Sequence, residues 1–217
     1  MSGKIITPSL KRKITQKWSD YFPEFGIYKP MWLMNVCGPL AVGIALLVKS
    51  DKTVYEPIMH IHNLCVPDDT VSLNIPIESK LLYIKSEDDR NEYISAIHYF
   101  RNKSYIPFEG DVDCKELIEN MKKHFETTLY KANLLKIMLY ISIWSDSHVI
   151  YNNVKSFVDM KIENHPDMFG DESIKRNFIN TFPNNLSDCG KIRDTVIQQK
   201  QVLGLNDLPQ RKLVIND

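Results

Sequence analysis

The stretch Met31 to Leu64, MWLMNVCGPLAVGIALLVKSDKTVYEPIMHIHNL, decides the fold. Its middle, Val36 to Val48, is thirteen residues without a polar side chain. A membrane helix needs roughly twenty. Gly38-Pro39 breaks the front of the run, and Lys49-Ser50-Asp51-Lys52 closes the back. The run therefore reads as strands. Trp32–Cys37 makes one, and Gly38-Pro39 turns the chain. Leu40–Val48 makes the next, apolar on both faces as in the middle of a covered sheet. Gly43 inside it permits a bulge or close packing. Lys49–Lys52 has the length of a hairpin loop. Thr53–Leu64 makes the third strand. Alternation puts Tyr55, Met59 and Ile61 on one face, with Glu56, Ile58, His60 and His62 on the other. Pro57 donates no amide, which suggests an edge or a bulge.

Working outward, residues 1–8 read as disordered, and Ser9–Tyr21 as a helix with Leu10, Ile14 and Trp18 on one side. After Pro67-Asp68-Asp69, Val71, Leu73, Ile75 and Ile77 alternate with polar residues. Leu81–Ile84 continues the extended pattern. From Asp88 the period changes from two to 3.6. Asp88 or Asp89 caps a helix bearing Tyr93, Ile94, Ile97 and Phe100. Asp113 with Glu116 is a capping-box-like start for the next. Leu134–Trp144 is apolar nearly all round and should be the centre of the helical part. Ser147 caps a further helix, Asp171–Phe182 is short, and Ser187–Leu203 is the last. The polar tail reads as frayed. Strands fill the first ~85 residues and helices follow, the segregation of an α+β fold. The expectation is one α+β domain over 1–217, with 9–85 mostly sheet and 88–204 a helical bundle packed on it.

Hydrophobic residues make up 43% and charged residues 25%, as in ordinary globular proteins. Lys plus Arg equals Asp plus Glu at 27 each, so net charge supplies no footprint for nucleic acid. The N-terminus lacks the apolar core of a signal peptide. Cys37, Cys65, Cys114 and Cys189 form no C-x-x-C pair. The expected setting is a reducing cytoplasm, with no membrane span.

Three sets of side chains are candidates for chemistry. His60-x-His62 with Glu56 places two imidazoles and a carboxylate on one strand face, a donor set that suits zinc or iron. The bland alternative is a pair of hydrogen-bonded strand histidines. Second, Pro67-Asp68 precedes Glu78-Ser79-Lys80. These residues resemble the P-D…(D/E)-x-K pattern of the restriction-endonuclease-like nucleases, over 67–80 only. The resemblance implies that Asp68 and Glu78 hold Mg²⁺ while Lys80 orients the attacking water. Pro76 interrupts the strand expected to carry Glu78 and Lys80. Third, Tyr105, Ile106 and Phe108 lie in a loop, where exposed aromatics often anchor protein interfaces. Packing under the loop is their bland alternative.

There is no G-x-x-x-x-G-K-[ST] loop, G-x-G-x-x-G fingerprint or G-x-S-x-G elbow. The leading expectation is a non-catalytic, cofactor-free protein that binds another protein. It would be an inhibitor or immunity-type protein of a bacterial defence or toxin system, or an accessory subunit. The alternative is a metal-dependent nuclease or hydrolase using Asp68, Glu78 and Lys80, with the His60/His62 face as a variant.

Overall fold

The structure, a computed structural model, describes residues 4–73, 75–76, 82–86, 90–183 and 185–216. Helix α1 (Pro8–Tyr21) opens the chain; Thr7 Oγ1 caps it by accepting from Leu10 N at 3.3 Å. Strand β1 (Gly26–Lys29) follows, then β2 (Trp32–Cys37), β3 (Leu40–Val48) and β4 (Val54–Asn63). These four form an antiparallel meander in chain order. Two very short strands, β5 (Ile75–Pro76) and β6 (Ile84–Lys85), both pair with the outer edge of β4, at its far and near ends. The opposite edge is shared too. β1 pairs with the first part of β2, and β8 (Gln210–Arg211) pairs in parallel with its last two residues. Very short edge strands are one of the ways in which sheets discourage pairing with another chain.

Both faces of the meander are covered. Register places Leu33, Val42, Ile44, Met59 and Ile61 on one face, and all are buried in the larger core. Trp18 of α1 lies on this face, where its Nε1 donates to the Tyr55 hydroxyl at 3.1 Å. It stacks on Phe22 and meets Tyr93 edge-on at 5.1 Å. Tyr93 belongs to α2 (Arg90–Lys103), so this aromatic cluster joins two helices to the sheet. A large apolar side chain buried in this way stabilises by ~1.5–3 kcal/mol.

A short strand, β7 (Val112–Asp113), leads into α3 (Cys114–Phe125), where Asp113 accepts from Glu116 N at 2.8 Å as the cap. Helix α4 (Lys131–Trp144) buries eight side chains and touches α3, α5 and α7. Its all-round apolar character thus reflects a central position. Helix α5 (His148–Asn164) is capped by Ser147 and α6 (Glu172–Asn180) by Asp171. Helix α7 (Cys189–Val202) packs on the second face of the sheet, where Ile192 and Val196 join Met34, Val36 and Ala41. The α+β arrangement, with sheet first and helices after, is the one expected from the change of period.

Both chain ends depart from expectation. Ile6 is buried, and its N–H donates to Lys52 O at 2.7 Å, so the chain from Lys4 onward is tied to the sheet hairpin. The tail is ordered as well. After β8, β9 (Leu213–Val214) runs parallel to β7. Val36 N donates to Pro209 O and Val112 N to Lys212 O, each at 2.9 Å. A polar tail reads as frayed when only its side chains are counted. Here its backbone completes two strand edges.

Candidate functional site

The second face of the meander has an unusual floor. Along its middle the central strand contributes Ala41, Gly43 and Ala45, flanked by Trp32, Met34 and Val36 of β2 and by Ile58, His60 and His62 of β4. Small residues in the middle let large ones from the outer strands lean over it. Trp32 Nε1 reaches His60 and donates to Nε2 at 2.8 Å. A Cβ on Gly43 would stand 2.7 Å from that same Nε2 and 2.9 Å from the Leu33 carbonyl oxygen. Glycine at 43 is therefore a condition of the contact, because no β-carbon fits beneath it.

His60 accepts at Nε2, so neutral His60 carries its proton on Nδ1. That nitrogen is buried and has no partner among the described residues. Burial is the main cause that pushes the His60 pKa down to about 3, with the neighbouring His62 adding to it. His62 has the opposite tautomer. Its Nδ1 accepts from Ser72 N at 3.0 Å and lies 2.9 Å from Ser72 Oγ, which leaves the proton on Nε2. Nε2 is likewise buried and unpartnered among the described residues. Burial lowers the His62 pKa, while the charge of Asp68 works against the shift.

His62 and Asp68 line one polar cleft of about 160 Å³. The end of β4, the 66–72 loop and the first two turns of α4 form its walls, adding Ser72, Asn133, Lys136 and Ile137. The Ser72–His62 contact holds one end of the loop, and Asp68 holds the other. Asp68 N donates to Gln199 Oε1 of α7 at 3.0 Å, and Asp68 Oδ1 accepts from Thr70 N at 3.1 Å. Lys136 is half-buried, and burial lowers its pKa.

The sequence candidates fare differently. Glu56, His60 and His62 share a face as alternation implies, and all three are buried. Each is engaged separately: Glu56 by Lys49, His60 by Trp32, His62 by Ser72. Among the described residues, no three His, Cys, Asp or Glu side chains converge on a metal position. Asp68 sits on the cleft; Glu78 and Lys80 lie outside the described residues.

The loop aromatics need correction. Ile106 is 1% exposed and Phe108 8%, so neither offers a contact surface. Phe108 packs on Phe22 and Phe25 at 5.6 and 5.7 Å, and Tyr105 lies against His124 at 4.9 Å. Arg211 holds the loop down, donating to the carbonyls of Pro107, Glu109 and Gly110. The aromatic cluster of α1 needed these side chains, and the tail supplied the clamp.

Sequence reasoning missed Trp32, Ser72, Asn133 and Lys136. Only Trp32 left a signal: it falls in phase with His60 across a small-residue strand. The other three reach the cleft from segments whose meeting depends on how α4 docks. Comparison with known proteins found no family model, no curated protein and no solved structure that matches this chain.

Proposed function

We propose that this is a non-catalytic protein that binds an apolar segment of another protein chain. The observation that carries the reading is a groove of about 550 Å³ between α5 and α6. Its floor is Leu139, Ile162, Ile179, Phe182 and Pro183, and its rim carries Lys155, Asp159, Glu163 and Lys175. An apolar floor within a charged rim is the usual anatomy of a protein-binding surface. The volume lies in the ~300–1,000 Å³ range of ligand clefts. Helix α6 has no buried residue, and Ile174 and Ile179 are 53% and 41% exposed. An amphipathic helix left this open has apolar area available for a partner to cover.

The polar groups of the sheet support the non-catalytic side. The histidines are bound to Trp32 and Ser72 and held neutral, and burial pushes the cysteine thiols up. A thiol raised in this way is a poor nucleophile.

The test is affinity capture from the native cells with three forms of the chain. Wild type and Ile197→Asp, a control on exposed α7 surface, should retain one stoichiometric protein that Ile179→Asp loses. Retention by Ile179→Asp moves the binding surface elsewhere. Absence of any partner, together with Mg²⁺-dependent plasmid cleavage abolished by Asp68→Ala, replaces the reading with the nuclease alternative.

A further inference from the structure

The cleft beside His62 uses none of the groove residues, and its chemistry points to a different ligand. Lys136 supplies its positive charge. No described carboxylate pairs with that ammonium, and desolvation is the sole cause acting on its pKa. A half-buried cation without a counter-charge is costly, and an incoming anion relieves that cost. Two further donors line the same space. One is the exposed side-chain amide of Asn133. The other belongs to His62, a lining residue whose buried Nε2–H has no partner among the described residues. Buried donors without acceptors are rare, and a ligand or water normally accounts for them. Ser72 is committed at Nδ1 of the imidazole and fixes the ring so that Nε2 is the protonated nitrogen.

Size sets the class of ligand. Clefts that take drug-sized ligands run to about 300–1,000 Å³. A cleft of about 160 Å³ falls below that range and suits a small ion with its waters. Asn63, whose Oδ1 accepts from Cys65 N, together with Ile61, Val66 and Ile137 closes the rest of the wall without adding charge. Asp68 is the opposing feature. Its carboxylate pulls the His62 pKa upward against the larger, opposite effect of burial, and it repels an anion. The cleft is thus set for a ligand weak enough to exchange.

We infer that the cleft between the end of β4, the 66–72 loop and α4 binds a small oxyanion, a carboxylate or a phosphate, with Lys136 as its counter-charge. Asn133 and His62 donate to its oxygens, and Asp68 keeps the affinity low.

Titration calorimetry on the full chain tests this, with inorganic phosphate in one arm and acetate in the other, at fixed ionic strength in chloride. At least one anion should bind saturably with one site per chain. The arm that binds identifies the headgroup. Lys136→Met should weaken binding by about tenfold or more, as for loss of a charged hydrogen bond. Asp68→Asn should tighten it several-fold by removing the repulsion. Lys136→Arg keeps the charge and should retain binding, which covers the case in which Lys136→Met fails to fold. Absence of saturable binding in both arms overturns the proposal. So does binding that Lys136→Met leaves intact, or that Asp68→Asn weakens.

Discussion

Trp32 and His60 meet over Gly43: indole Nε1 lies 2.8 Å from imidazole Nε2, across a central strand with no side chain at that point. The contact spans three strands and locks the second face of the sheet. It also consumes the imidazole lone pair that a metal at His60 Nε2 would need.

Gly43→Ala should destabilise the protein by about 1–3 kcal/mol, the range for overpacking a filled site. The added methyl meets the Leu33 carbonyl as well as the imidazole, and the backbone atom cannot swing aside. Urea unfolding followed by circular dichroism measures the shift. An unchanged midpoint would mean that the strands spread to take the methyl.

Stability should fall as pH drops from 7 to 5. The folded His60 pKa, about 3, lies below its ordinary 6.5, so the unfolded chain takes up the proton first. The contribution is therefore full above 6.5 and is lost progressively toward 3, at up to about 1.4 kcal/mol per pH unit. His62 acts in the same direction, through burial. His60→Gln keeps an acceptor for Trp32 and removes the titration. Its unfolding free energy should vary less with pH than that of wild type, and equal slopes would refute the assignment.

All four thiols should resist modification in the native state. Burial raises Cys37 to about 11 and Cys114 to about 12, and also raises Cys65 and Cys189. At pH 7.5 an aromatic disulfide reagent should label none of them quickly, and all four after denaturation in urea. Fast labelling of one native thiol would identify an opening segment near it.

Arg211→Ala should loosen the 104–111 loop without unfolding the sheet. Three carbonyls lose their donor, while Val36 N–Pro209 O and Val112 N–Lys212 O remain. Hydrogen exchange should rise in 104–111 and in the adjoining β7, and limited proteolysis should cut there first. Protection unchanged in that loop would show that Phe108 packing alone holds it.

Local pattern made much of the fold legible. The alternation in Thr53–Leu64 assigned both faces of β4, and those faces are the ones observed. Asp113 and Ser147 marked helix starts because an N-cap is a contact three residues long. The candidate site was legible only in part. His62 and Asp68 were named for separate reasons, and docking places them on one cleft. Tyr105, Ile106 and Phe108 show the converse, since composition does not say which loop aromatics a distant helix will cover.

By itself, then, the sequence determined the periods, the turns and the faces of individual elements, because these depend on neighbours a few residues away. Tertiary structure decided the rest. It bridged Trp32 to His60, set Lys136 beside His62, and paired Gln210 and Arg211 with Val36 and Cys37. The physical reason is range. A backbone carbonyl of the tail is chemically the same whether it frays or finds a strand edge, and only the assembled sheet supplies the donor.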